Sequence, residues 1–272
     1  MAKSKQKDTD MAEPAEQMDP QTGELTTIEG HDLSPAEMAA LAEEHAGLGA
    51  SEQSEDRIQS FVKVLHQLSP ELNAREASFV KGAAPGDIWI SAQNLLIPGQ
   101  EGFMFQQVGY QYYWVEWETK TPKAGSFPLG RYKTKPHGED DGLGAVVLDN
   151  GHVCIETRYH IGLIYYKDLP PFPAVISYSS TGAAVSTNWT NRQWVKRLPS
   201  GKMAPTCMYL WHMVTVERSN EHGRWSLLVP AREAEISANG PQFKVGLDLA
   251  KKFESQEIKV AEQSTSNDSI PF

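Results

Sequence analysis

The chain has 272 residues, 40% hydrophobic and 9% aromatic, which is enough for one large domain or two small ones. No apolar run approaches the roughly 20 residues of a membrane helix, and the lysine-rich start at Met1 lacks the apolar stretch of a secretory signal. The two cysteines, Cys154 and Cys207, are too few for a disulfide framework, so a reducing, cytoplasmic setting is expected.

The net charge of −10 argues against nucleic acid until it is located along the chain. Residues 1–56 carry three lysines and fourteen acids (net −11), residues 57–247 nineteen basic and sixteen acidic side chains (net +3), and residues 248–272 three and five (net −2). Within the body, Arg158, Lys167, Arg192, Lys196, Arg197, Lys202, Arg218, Arg224 and Arg232 face only Asp168, Glu217 and Glu221 over residues 158–232. A basic body with acidic tails suits a nucleic-acid binder whose tails compete for the groove or recruit partners.

Residues 1–33 are polar, acidic and punctuated by Pro14, Pro20, Gly23 and Gly30, so disorder is expected there. Ser34-Pro35-Ala36-Glu37 predicts the start of a short helix, with Ser34 as N-cap and Glu37 at the capping-box position. Residues 51–68 predict a second helix, because Ile58, Phe61, Val62 and Leu65 keep helical spacing before Pro70.

From 83 to 178 the signals are β. Strands are predicted at 87–90, at 102–106 and 110–117 with a join near Gly109, and at 161–166 and 174–178. A Pro/Gly-rich loop fills 120–142, and 144–149 and 152–158 flank Asn150-Gly151, a hairpin signal in which both turn residues take φ > 0. Residues 181–198 predict an amphipathic helix with a basic side, capped by Ser180 or Thr181. Strands at 207–217 and 223–229 follow. Pro241 opens a helix over 241–262 in which Val245, Leu249 and Phe253 share a face.

This order predicts a mainly β, α+β fold: an OB-like barrel with one extra hairpin, a helix between the third and fourth core strands, and disordered tails. The expected organisation is an acidic region with a short helix (1–50), a nucleic-acid-binding domain (51–240), a C-terminal helix (241–262) and a flexible partner-binding tail (263–272).

Sequence-tolerant binding of single strands needs aromatic faces for bases and cations for phosphates. Strand alternation puts Tyr110, Tyr112 and Trp114 on one face and Tyr113, Val115 and Trp117 on the other. Tyr112 and Trp114 are the candidate platform, and Lys120, Lys123, Arg131, Tyr132, Lys133 and Lys135 on the adjoining loop are candidate contacts. Arg158 and Lys202 extend the set. Arg158 belongs to a polar face, His152, Cys154, Glu156, Arg158 and His160, expected to meet water or a ligand. His152, Cys154, Cys207 and His212 offer zinc-ligating side chains at spacings unlike those of zinc fingers, and the better account is buried thiols and solvated imidazoles. Glu139-Asp140-Asp141 reads as a solvated charge cluster. No Walker loop, Gly-x-Ser-x-Gly or His-Glu-x-x-His motif is present, so no catalysis, cofactor or metal is expected.

The chain ends Asp268-Ser269-Ile270-Pro271-Phe272, an apolar tip on a polar tail. Such an end suits capture by an apolar pocket with a basic rim. Asp268 with Ile270-Pro271-Phe272 closely resembles the C-terminal tip of bacterial single-stranded DNA-binding proteins. That resemblance implies a tip that recruits replication and recombination proteins, including those of a host cell. The body, through Leu65-His66-Gln67-Leu68-Ser69-Pro70, Gly86-Asp87-Ile88-Trp89, Gly102-Phe103-Met104-Phe105-Gln106, Trp114-Val115-Glu116-Trp117 and Ser179-Ser180-Thr181-Gly182, resembles a group of bacteriophage proteins, which implies a phage origin without supplying an activity. The expectation is a sequence-independent binder of single-stranded DNA in phage replication and recombination, in the host cytoplasm. The alternatives are a decoy that occupies host proteins through its tip without touching DNA, and a metal-dependent nuclease using the acidic triplet.

Overall fold

The computed structural model of the chain describes residues 16–18, 25–27, 60–120, 128–142, 144–221, 223–237 and 240–255. The chain divides into two compact units, Met1–Ser51 and Glu52–Phe272. In the first, Glu16–Met18 (β1) and Leu25–Thr27 (β2) pair antiparallel. The helix predicted from Ser34 lies outside the described residues.

The second unit is built on an eleven-stranded mixed sheet. Its strands are Ser60–Val64 (β3), Ile88–Ile90 (β4), Leu95–Ile97 (β5), Phe103–Trp117 (β6), Gly130–Tyr132 (β7), Glu139–Asp140 (β8), Ala145–Val147 (β9), Val153–Tyr165 (β10), Phe172–Ser179 (β11), Tyr209–Asn220 (β12) and Gly223–Glu235 (β13). The spatial order is β13-β12-β6-β10-β11-β3-β4-β5, with β7 beside β6, β9 beside β10 and β8 beside β9.

The sheet curls. The Thr215 N–H on β12 donates to the Gly99 carbonyl at 2.9 Å, and its hydroxyl donates to the Gly86 carbonyl at 2.8 Å. The Tyr178 hydroxyl on β11 donates to the Leu228 carbonyl on β13 at 3.0 Å. The result is an α+β, barrel-like fold. Among the described residues no helix is long and apolar enough to cross a membrane.

Several expectations are corrected, among them the loop expected over 120–142, which contains β7 and β8. Residues 60–64 form a strand, not a helix: they pair parallel with β11, Phe61 opposite Val175, and Pro70 opens a single 3₁₀ turn. Local spacing favoured helix, and the free edge of β11 overrode it. The strands predicted at 102–106 and 110–117 are one fifteen-residue strand. The join near Gly109 is a bulge, because Ile161 pairs with Gly109 and Gly162 with Gln107, leaving Val108 over. Glycine fits there because a Cβ would lie 2.5 Å from the Phe253 ring. The Asn-Gly hairpin forms, but only Gly151 has positive φ (83°). Leu148 N–H bonds the His152 carbonyl at 2.8 Å and Gly151 N–H the Leu148 carbonyl at 2.9 Å, which makes a three-residue loop.

Two α-helices, Ala183–Trp194 (α1) and Pro241–Glu254 (α2), cover opposite faces of β6 and β10. Neither Ser180 nor Thr181 caps α1. Gly182 holds the N-cap position, and Ser180 takes a left-handed φ of 48° in the turn from β11. α2 packs through Phe243, Leu247, Leu249, Ala250 and Phe253 against Val108, Val115, Tyr159 and Ile161. Val245, expected on that face, is 51% exposed. The Gln106 amide ties this helix down: its Nε2 donates to the carbonyls of Cys207 (2.7 Å) and Gln242 (3.0 Å), and its Oε1 accepts from the Tyr165 hydroxyl (2.7 Å).

α1 is anchored by Trp189, fully buried against Phe105, Tyr178 and Trp211 and stacked on His160 with ring centroids 4.2 Å apart. A buried polar chain runs beneath. Gln193 Nε2 donates to Gln107 Oε1 (2.9 Å), which also faces His160 Nδ1 (2.8 Å), while His160 Nε2 faces Ser186 Oγ (2.7 Å). An amide oxygen only accepts, so Nδ1 carries the proton and Nε2 accepts from Ser186. The polar face expected to meet water or a ligand therefore meets α1 at His160. Burial lowers the His160 pKa from 6.5 to about 3, with the Arg158 charge adding to the effect.

Trp189→Ala should cost about 3–5 kcal/mol in urea unfolding, as a large buried aromatic is lost. The depressed His160 pKa means full stability above pH 6.5 and progressive loss as pH falls toward about 3. His160→Gln should therefore lie below wild type in melting temperature at pH 7, and the gap should narrow on acidification.

Candidate nucleic-acid interface

The inner face of β6 and β10 carries Tyr110, Tyr112, Trp114, Arg158 and Glu156 between two covers, α1 and the β9 hairpin. Trp114 lies under the second cover. It is 5% exposed, packed on Val146 and Cys154, with the Lys135 ammonium 5.5 Å from its ring centre. As a stacking face it is corrected: the hairpin buries it. Tyr112 is half-buried, with the Arg158 guanidinium 5.8 Å from its ring centre, and Tyr110 is exposed.

The predicted cations fall into groups. Lys120 pairs with Asp141 at 2.7 Å, and Lys135 pairs with Asp140. Arg131 lies 5.6 Å from the Tyr159 ring centre on the outer face. Arg158 is held by Glu156 through Nε at 2.7 Å and through Nη2, and its Nη1 donates to the Ala183 carbonyl (3.1 Å) and to the Thr187 hydroxyl. Lys133 and Lys202 are exposed and outside every ion pair among the described residues. Tyr132 is exposed, yet its hydroxyl donates to Glu116 at 2.5 Å. Lys123 and the tip residues Asp268, Ile270, Pro271 and Phe272 lie outside the described residues.

The zinc-type quartet is not assembled. Cys154 packs with Trp114 and Cys207 with Val108, in separate apolar clusters. His152 Nδ1 binds Glu116 at 2.7 Å, and His212 Nε2 donates to the Glu101 carbonyl at 2.8 Å. Burial pushes the Cys154 thiol up to about 11. Among the described residues no group of three or more His, Cys, Asp or Glu side chains converges as for a metal ion. Ser186, His160 and Gln107 have the order of a nucleophile, base and orienting group, but all three are buried, and His160 is a poor base.

The residue that sequence reasoning missed is Trp194. It is 64% exposed at the C-terminal end of α1, beside Val195 at 73% and with Met203 at 55% on the adjoining turn. Arg197 Nη1 reaches back to the Trp194 carbonyl, and Arg197 pairs by backbone with Met203. Arg192 and Lys196 are turned away toward Glu233. The outward stripe of α1 is Ala184, Thr187, Asn188, Asn191, Trp194 and Val195. It runs from the Arg158–Tyr112 pair, through the bond to Thr187, to Trp194, about 10 Å along the helix axis. Helical periodicity held the signal. Trp194 lies about 140° round the helix from Trp189, so the sheet face that buries one indole does not bury the other.

The fold is α+β and barrel-like, and it is the family match that makes the chain a phage protein. A family model described as Pam3 phage gp34-like protein matches residues 29–259, and the chain belongs to that family. No curated protein and no solved structure matches it.

Glu116 organises the loop side. Hydrogen bonds from Tyr132 and then from His152 hold its carboxyl below the usual 4.5. The stability this gives is present above pH 4.5 and lost as pH falls through the lowered folded value. Tyr132→Phe should lower the urea midpoint at pH 7, and the difference from wild type should vanish in acid.

Proposed function

We propose that the chain binds single-stranded DNA without base specificity in phage replication and recombination, with Ile270-Pro271-Phe272 as a handle for replication proteins. The observation that carries the reading is Trp194, a large indole held out to solvent at the end of a polar helix face, with Arg197 bonded to its carbonyl and Lys202 exposed on the turn that follows. An exposed tryptophan among cations supplies the two elements of sequence-tolerant strand binding, a stacking surface and phosphate neutralisation. The half-exposed Tyr112 with Arg158 provides a second pair of the same kind. Asn188 and Asn191 between them can bond sugar and base edges. No bond is made or broken. The chain covers and tethers the strand.

Fluorescence anisotropy with an unstructured oligonucleotide should show binding at low salt. Trp194→Ala should weaken it about 5- to 100-fold, the loss of one stacked base. With Lys133, Arg197 and Lys202 taken as three phosphate contacts, each exposed and outside the ion pairs among the described residues, log K should fall with log salt at a slope of about −2. Deleting residues 264–272 should leave affinity in place. No binding by the full-length chain at low salt would refute the reading.

A further inference from the structure

Arg158, Lys120 and Lys135 on the candidate interface each hold a single carboxylate, from Glu156, Asp141 and Asp140 respectively. The carboxylates are pre-placed. Asp140 Oδ1 accepts from the Gly142 N–H (2.8 Å) and Asp141 Oδ1 from the Ala145 N–H (2.9 Å), so the loop backbone fixes each one with its lysine. Glu156 sits two residues from Arg158 on the same face of β10, and its Oε1 takes both Nε and Nη2. That edge of a guanidinium is the one that grips a phosphate in the bidentate manner. The remaining nitrogen, Nη1, is fastened to α1 through Ala183 and Thr187, and the Tyr112 ring lies against the group. Arg158 is therefore immobilised with its anion-binding edge turned to one largely covered carboxylate; both side chains are 19% exposed.

We propose, resting on the single-strand reading above, that Glu156 occupies a phosphodiester site on Arg158 and is displaced by the strand, with Asp140 and Asp141 acting likewise on Lys135 and Lys120. Binding at these points is an exchange of one anion for another. Carboxylate leaves the cation as phosphate arrives, so few counterions are released there. Glu156 thereby sets both affinity and salt dependence: the protein holds single strands loosely enough to release them, although its body is basic.

The experiment compares wild type with Glu156→Gln, Asp140→Asn and, as a control for net charge, Glu217→Gln, whose carboxylate pairs with Arg224 on the exposed β12–β13 ribbon. Each is titrated with a fluorescent oligothymidylate at several salt concentrations, after thermal melting to check folding. Glu156→Gln should bind about three- to fivefold tighter at low salt, the value of a partly exposed ion pair. Its salt slope should steepen by about 0.7, one further phosphate neutralised with counterion release. Asp140→Asn should shift in the same direction, and Glu217→Gln should stay within about twofold of wild type. If wild type binds and neither Glu156→Gln nor Asp140→Asn tightens, or if Glu217→Gln tightens equally, the exchange is wrong while strand binding stands. If no form binds, the single-strand reading falls and the exchange with it.

Discussion

The stack of Trp189 on His160 is the contact on which the candidate interface depends. It fixes both the position and the rotation of α1 over the curled sheet. Because Trp189 points inward, with Ser186 and Gln193 on the same side bonding to His160 and Gln107, the opposite stripe of Thr187, Asn188, Asn191 and Trp194 must point out. The buried polar chain adds specificity of placement. An unsatisfied amide or imidazole in that core would be costly, so helix and sheet meet in the register where each finds its partner. Arg158 extends the same logic to the rim, tying the first two turns of α1 to β10 through Ala183 and Thr187.

The charge of the surface is organised by pairing as much as by number. Arg192 and Lys196 are drawn back onto Glu233, over the rings of Trp211 and Tyr209, and so serve as straps between α1 and the β12–β13 hairpin. Lys120, Lys135 and Arg158 each meet a carboxylate beside them in the fold. A count of basic residues over 158–232 therefore overstates the positive field that a polyanion would meet. In the proposed function the strand meets cations outside the ion pairs, Arg197, Lys202 and Lys133 among them, and the charge of the paired cations is latent.

Much of the architecture was legible in the chain. The long strands were marked by aromatic and β-branched alternation, the hairpin by Asn150-Gly151, and α1 and α2 by a change of period. The failures have physical causes. Residues 60–64 look helical in isolation and become a strand because β11 offers an edge, a non-local fact. Gly109 reads as a break, whereas it lets β6 run on beneath Phe253. Trp114 reads as a platform because strand alternation gives two faces but does not say which is covered, and a hairpin that begins about thirty residues on covers this one. Trp194 was recoverable from spacing alone once Trp189 is assigned to the core. The pairings of Lys120, Lys135 and Arg158 depend on loop geometry that spacing does not encode.

The central claim is that a single strand lies across the outer stripe of α1 between Tyr112 and Trp194. Photo-crosslinking tests it most directly: an oligonucleotide carrying 5-iodouracil at successive positions is irradiated with the full-length protein, and adducts are located by mass spectrometry. The account predicts adducts at Trp194 and at Tyr112 or Tyr110, lost in the presence of excess unlabelled strand. Adducts confined to the opposite face, around Trp117 and α2, or no competable adduct at all, would contradict it.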